Sequence, residues 1–396
     1  MKHTPEPSTA DLDFFFDEGH HAIAEKAAHF ASKWAFDDQR DEDEATLKAV
    51  SELTDAGLTQ YCVPERFGGA AIGRPDGLDT RALTLIRESL GWSDALLDTA
   101  FAMQGLGSYP ITLAGTTDQK ETYLPAVLSG RSLGAFALTE PNAGSDVASM
   151  SCLAEASGDS YIINGQKTYI SNAGIAGQYV LFAKTAPDQG RRGMSAFIIE
   201  PNDPGLSVDR FEVIAPHPIG TLIFDNCRIP KNRLLGQEGD GFKIAMGTLD
   251  VFRTTVAGAA IGMAQRALDE GLHRALERTQ FGKPIFEQQQ IMAYLADSAT
   301  DLTAARLLVF RAAYRRDLST DRVSAEVAMG KLFATESAQR IIDRAVQIFG
   351  GLGVTRGVTV ERLYREIRAL RIYEGTSEIQ KVVIGAHLRK LAASTD

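Results

Sequence analysis

Tyr161-Ile-Ile-Asn-Gly-Gln-Lys-Thr-Tyr-Ile170 is the stretch on which the architecture turns. Asn164-Gly165 stands between two runs of β-prone residues, the strongest short-range signal for a hairpin. Toward the C-terminus follow Tyr179-Val-Leu-Phe-Ala183, Ser195-Ala-Phe-Ile-Ile199 and Thr221-Leu-Ile-Phe224, each bounded by turn residues. Short strands in succession, with no helical pattern between them, predict an antiparallel sheet or small barrel and not βαβ units. This texture begins near Gly134 and ends near Gly241. On either side the apolar period is helical. Upstream, Phe14, Phe15, Ile23, Ala27, Phe30 and Trp34 lead into residues 45–56, 80–105 and 118–129. Downstream, Val256, Ala260, Met263, Ala264, Ala267, Leu268, Leu272 and Ala275 form one stripe, rich in small residues that let helices approach closely. Residues 286–316, 322–349 and 359–370 and a last helix from about Ser377 to Leu391 complete a bundle. The expected fold is multidomain α+β. An N-terminal α-helical domain spans 1–133, a central antiparallel β domain 134–240, and a C-terminal four-helix bundle 241–396.

Composition narrows the function. The chain has 396 residues, 44% hydrophobic and 23% charged, which is ordinary for a globular protein. With 41 basic and 51 acidic residues the net charge is −10, a poor match to nucleic acid or an anionic membrane. Cys62, Cys152 and Cys227 are too few and too far apart for a disulfide framework or a CxxC metal site. No segment reads as long and apolar enough to span a bilayer, and the N-terminal residues lack the pattern of a signal peptide, so a cytoplasmic location is expected. His20 and His21 are adjacent and no HExxH pairing occurs, so no metal site is expected; nor is there a GxSxG elbow.

Four segments offer chemistry, each with a plainer alternative. Leu138-Thr-Glu-Pro-Asn-Ala-Gly-Ser-Asp146 presents the hydroxyls of Thr139 and Ser145 on a turn. Its N–H groups suit an anion, or the turn merely joins two domains. Gly350-Gly-Leu-Gly-Val-Thr-Arg-Gly357 follows a helical pattern and has the wrong spacing for a dinucleotide fingerprint, so it reads as a glycine helix stop with N–H groups open to a ligand. Arg278-Thr-Gln-Phe-Gly-Lys-Pro284 is either a set of cations at a helix end or an anion clamp. In Arg371-Ile-Tyr-Glu-Gly-Thr-Ser-Glu-Ile-Gln380, Ser377 and Gln380 predict a capping box. Glu374, just before it, is either a helix-end anion or a general base turned into a cavity.

Taken together these segments resemble the acyl-CoA dehydrogenase family over about residues 11 to 392. The likeness rests on five motifs in the family's order. They are Thr139-Glu-Pro-x-Ala-Gly-Ser-Asp146, Asn164-Gly-x-Lys-x-x-Ile-x-Asn172, Arg278-x-x-Phe-Gly-Lys283, Gln347-x-x-Gly-Gly351 and Tyr373-Glu-Gly-Thr376. The resemblance implies an α, β, α arrangement and FAD held by residues of the β domain and the C-terminal bundle. It implies that Phe136, Leu138, Thr139, Gly144, Ser145, Tyr169 and Ser171 bind FAD. Thr139 and Ser171 would hydrogen-bond the flavin ring, and Tyr169 would pack on it. Arg278, Gln280, Phe281, Gln288, Gln347, Gly350 and Gly351 would complete the cofactor site of a neighbouring subunit, in a homotetramer built as a dimer of dimers. Thr376 and Glu378 would face FAD. Ser145, Asp250, Arg253, Glu374 and Gly375 would meet the acyl-CoA substrate.

Glu374 aligns with the family's catalytic base. The implied reaction removes the α proton of a thioester and transfers a β hydride to FAD, giving the trans-2-enoyl-CoA. Electrons then pass to an electron-transfer flavoprotein, a step of fatty acid metabolism. A carboxylate suits the base if desolvation raises its pKa toward neutrality. Two features depart from the family pattern. Tyr169 replaces a frequent tryptophan, and Ile214-Ala-Pro-His-Pro-Ile-Gly-Thr221 is unlike the corresponding stretch of the straight-chain members. The competing expectations are an acyl-CoA oxidase or related flavin enzyme using oxygen, and a non-redox acyl-CoA-binding scaffold.

Overall fold

The computed structural model describes residues 4–37, 40–72, 77–319 and 322–393. The first helices are α1 (Glu18–Lys33), α2 (Glu42–Asp55), α3 (Thr80–Ser93), α4 (Ala95–Leu106), α5 (Tyr109–Ala114) and α6 (Thr117–Leu128). The strands β1 (Gly134–Ala137), β2 (Leu153–Ser157), β3 (Ser160–Ser171), β4 (Gln178–Lys184), β5 (Met194–Ile199), β6 (Leu206–Arg210), β7 (Ile219–Pro230) and β8 (Leu234–Leu235) follow. Then come α7 (Gly241–Glu277), β9 (Thr279–Gln280), β10 (Lys283–Pro284), α8 (Gln289–Leu318), α9 (Ser324–Phe349), α10 (Thr359–Leu370) and α11 (Ser377–Ala393). By compactness the chain divides into two units. One is Met1–Gln39, Asp79–Asp98 and Val251–Asp396; the other is Arg40–Leu78 and Thr99–Asp250.

The second unit is built on a sheet in the order β6-β7-β3-β2-β4-β5-β8, with β1 also on β4. Most pairs are antiparallel, but β1 and β2 both run parallel to β4. The expected hairpin turn at Asn164-Gly165 is absent: β3 runs through it unbroken, and the turn joins Ser157 to Ser160 instead. Gly165, at φ 136°, sits where the register of β3 on β7 shifts, and a Cβ there would lie 2.8 Å from Cys152 Cα. A bulge and a hairpin turn both call for a residue free to take positive φ, so the local signal is the same for either. Two of the motifs are tied by one buried ion pair. Lys167 Nζ lies 2.7 Å from Glu140 Oε1 and donates to the Leu138 carbonyl at 3.0 Å. The N–H of Thr168 donates to the Thr139 carbonyl at 2.9 Å.

In the first unit α3 and α7 meet backbone to backbone. A Cβ on Gly262 would lie 1.9 Å from the Glu88 carbonyl oxygen and 2.7 Å from Trp92 N. Around this contact Val256, Ala260, Met263, Ala264 and Ala267 join Leu302, Val309, Ile341, Ile342, Leu363 and Ile367 in one core. By length and composition α7 does suffice to cross a membrane, against the reading that no segment does; 83% of its most apolar window is buried inside the protein, as in a core helix. The helical pattern over 80–105 is broken at Asp94, which is extended at φ −159° and accepts from the Leu96 N–H at 3.0 Å. The cap of α11 also differs from the expected box. Thr376 Oγ1 accepts from the Ile379 N–H at 3.3 Å, while Ser377 turns to Glu336 Oε1 at 2.5 Å.

Candidate active site

Between the end of α10 and the start of α11, Glu374 and Gly375 both take positive φ, 56° and 94°. For a glutamate this is an uncommon conformation that surrounding contacts must enforce. They do. Arg253 Nε, from α7, donates to the Glu374 carbonyl at 2.8 Å. Lys331 Nζ, from α9, donates to the Gly375 carbonyl at 2.8 Å, and Gln380 Nε2 does so at 2.9 Å. With its backbone clamped, the Glu374 side chain turns inward and is only 7% exposed.

One carboxylate oxygen, Oε1, lies 3.9 Å from Arg87 Nη1; the other, Oε2, is buried with no hydrogen-bond partner. Arg87 is fixed by a fork. Its Nε and Nη2 donate to the two oxygens of Asp98 at 2.8 Å each, and its Nη1 donates to Thr255 Oγ1 at 3.0 Å. Burial pushes the Glu374 carboxyl up to about 7, against the pull of Arg87, Lys331 and Arg253 and with a smaller push from Asp98. Burial likewise brings Lys331 down to about 8, opposed by the Glu374 charge. A carboxylate with one unpaired oxygen and a pKa near neutrality is suited to take a proton from carbon. Arg253, Glu374 and Gly375 of the expected substrate residues are thus brought together, while Ser145 and Asp250 belong to the sheet-bearing unit.

In that unit the expected flavin residues cluster about the ends of β1 and β3. Tyr169 is 65% exposed at φ 58°, its ring edge-on to Phe211 at 5.4 Å. Ser171 Oγ is 3.0 Å from His217 Nε2. Leu138 is buried, its carbonyl accepting from Lys167 Nζ, and Phe136 packs on Phe182 at 4.9 Å. Gly144 and Ser145 are exposed, with open space where a Gly144 Cβ would stand. In the helical unit, Arg278-Thr-Gln-Phe-Gly-Lys-Pro284 is not a simple helix end. It forms the small hairpin β9–β10 with Phe281 and Gly282 at its tip, both at positive φ. Phe281 is 93% exposed. Arg278, Gln280 and Gln347 are exposed and Gln288 half-buried; Gly350, at φ 62°, ends α9, and open space surrounds it and Gly351. Hydrogen bonds from its own backbone N–H and the Thr376 hydroxyl hold the exposed Glu378 carboxyl below its ordinary range.

Among the described residues, non-glycine positive φ occurs at Asn172 and Asn226, which tolerate it, and at Tyr169, Phe281 and Glu374, which do not. Such strain costs about 1–3 kcal/mol per residue. At Phe281 the positive φ belongs to the two-residue turn between β9 and β10, and at Tyr169 to the register shift of β3 on β7 between Lys167 and Ile170; both leave an aromatic ring at the surface.

Sequence patterns missed Arg87, Asp98, Lys331 and His217. The available signal was Asp98, the lone charge in the apolar run Ala95–Leu106, since a charge in such a run needs a partner when buried.

Three family models match the chain in succession. The acyl-CoA dehydrogenase N-terminal domain covers residues 17–131, the middle domain 135–227 and the C-terminal domain 239–389. The chain is 41% identical over 352 residues to an acyl-CoA dehydrogenase of Bacillus subtilis (strain 168), covering 87% of this chain and 90% of that one. It is 42% identical over 344 residues to the acryloyl-CoA reductase (NADH) of Anaerotignum propionicum, covering 86% of each. A chain in the structure of the electron transferring flavoprotein of Acidaminococcus fermentans superposes with a TM-score of 0.89 at 37% identity, over 95% of this chain and 99% of that one.

Proposed function

The chain belongs to the acyl-CoA dehydrogenase family of FAD-dependent oxidoreductases, and from that premise we propose that it converts an acyl-CoA to its trans-2-enoyl-CoA with Glu374 as the base. The observation that carries this is the Glu374 carboxylate, buried, raised to about 7, and unpaired at Oε2. When bound, FAD supplies the acceptor for the β hydride. Glu374 Oε2 takes the α proton. Arg253, Lys331 and Gln380 occupy the carbonyls of residues 374 and 375 and so hold the carboxylate in place through the reaction. We assign the Glu374 backbone N–H to the charge that grows on the thioester oxygen, where a donor already aimed stabilises the transition state most.

We take the electron acceptor to be an electron-transfer flavoprotein. The likeness to a chain in the structure of such a flavoprotein supports this. A second reading runs the same chemistry toward reduction of an enoyl-CoA; the 42% identity to an acryloyl-CoA reductase favours it. Anaerobic addition of a panel of acyl-CoAs to the yellow holoenzyme tests the first reading, with bleaching of the flavin band by one of them as the expected result. A chemically reduced flavin that enoyl-CoAs reoxidise, in an enzyme that no acyl-CoA bleaches, supports the second.

A further inference from the structure

His217 lies in Ile214–Thr221, the stretch that departs from the straight-chain members, between β6 and β7. The loop is fastened to the end of β3: Ser171 is in register with Ile219, and the Asn172 N–H donates to the Pro218 carbonyl at 2.8 Å. The His217 ring makes two contacts, Nδ1 to the Ala215 carbonyl oxygen at 2.8 Å and Nε2 to Ser171 Oγ at 3.0 Å. A carbonyl oxygen only accepts, so Nδ1 carries the hydrogen. Burial holds the imidazole below its ordinary pKa; the Ala215 hydrogen bond opposes this, and the Arg210 cation on β6 adds to it. Arg210 is itself paired with Asp43 at 2.8 Å. A neutral imidazole with its hydrogen on Nδ1 offers a lone pair at Nε2. The hydrogen in the 3.0 Å contact is therefore that of the Ser171 hydroxyl. Its O–H is committed to His217, and the oxygen it turns outward can only accept.

We propose that His217 is a positioning residue that fixes the direction of the Ser171 hydroxyl, so that the sheet offers the flavin ring a hydrogen-bond acceptor and not a donor. This rests on Ser171 facing that ring, as the family resemblance implies. Two-electron reduction of an isoalloxazine, with uptake of a proton, turns a bare ring nitrogen into an N–H. An acceptor beside the ring therefore favours the reduced form, and a donor favours the oxidised form. Hydrogen bonds to the ring nitrogens are among the means by which a protein sets a flavin's potential. The arrangement would raise that potential and so favour taking electrons from the acyl chain.

The test is the midpoint potential of FAD in the holoenzyme, measured anaerobically against reference dyes. The proteins compared are the native enzyme, Ser171→Ala, His217→Ala and the double variant. In His217→Ala the Ser171 hydroxyl is free to turn and donate. The expected result is a fall of about tenfold in the reduction equilibrium, roughly 30 mV for a two-electron couple. In the Ser171→Ala background the same substitution should leave the potential where it was. No fall, a rise, or an equal fall in both backgrounds overturns the proposal. Ser171→Ala alone tests the premise. If neither the flavin spectrum nor the potential responds to it, Ser171 does not face the ring. A potential that responds to Ser171→Ala and ignores His217→Ala sinks the role of His217 alone. Should His217→Ala fail to hold FAD, His217→Phe also lacks the acceptor, fills the ring's volume, and is expected to give the same fall.

Discussion

A carboxylate that must draw a proton from carbon has to be desolvated without being stranded, and at Glu374 these demands are met by different groups. Burial raises the carboxyl; Arg87, Lys331 and Arg253 stop the rise near 7. Glu374→Gln keeps the shape and removes the base. The rate of flavin reduction by substrate should fall by about 10²–10⁴-fold or more, with FAD still bound, as stopped-flow absorbance would show. A variant that reduces flavin at the native rate would remove Glu374 from the mechanism. The pH dependence has a definite sign. The base acts when charged, so flavin reduction should rise with pH through about 7. Lys331 lowers the Glu374 pKa, so in Lys331→Met the rising limb should move to higher pH. A limb that stays in place or moves down would contradict this account. At this scale the sequence already held Glu374, because a short motif carries it. It did not disclose Arg87, Asp98 or Lys331, because nothing local to a charge says which other charge it will meet.

Among the elements, the contact of α3 with α7 bears directly on the site, since α3 carries Arg87 and α7 carries Thr255 and Arg253. The helices touch through Gly262, where any side chain would meet the α3 backbone. Gly262→Ala should therefore push the helices apart and cost about 1–3 kcal/mol, as overpacking does. A lowered denaturant midpoint at unchanged m-value is the expected reading; an unchanged midpoint would mean that α3 and α7 part more easily than their packing suggests. Most helices and strands were legible from periodicity. The errors fell where one local signal serves two structures. Asn164-Gly165 makes a bulge within β3 instead of a turn, because β3 continues through it, paired with β2 up to Asn164 and with β7 on both sides. Thr376 caps α11 in place of Ser377, because Glu336 on α9 claims the Ser377 hydroxyl. The longest apolar helix, α7, is a core helix because other helices of its unit cover it.

For the whole molecule, the helical unit leaves Phe281, Val354, Val382 and Leu388 more than half exposed. Together with the strained Phe281 these apolar side chains support the family-derived proposal of a homotetramer whose subunits complete one another's FAD sites. Sedimentation equilibrium should give four times the chain mass, and Phe281→Ser should weaken FAD retention; a monomer that keeps FAD would end the proposal. The sequence by itself determined the order of helices, sheet and helices, since apolar period and turn residues are local properties of the chain. It also put forward Glu374, Tyr169, Ser171 and Phe281 as candidates through short motifs. Tertiary structure alone decided that Arg87, Asp98, Lys331 and Arg253 surround Glu374, and that His217 holds Ser171. Burial, charge proximity and the direction of a hydroxyl depend on groups brought together from distant parts of the chain, and no window of sequence contains both partners.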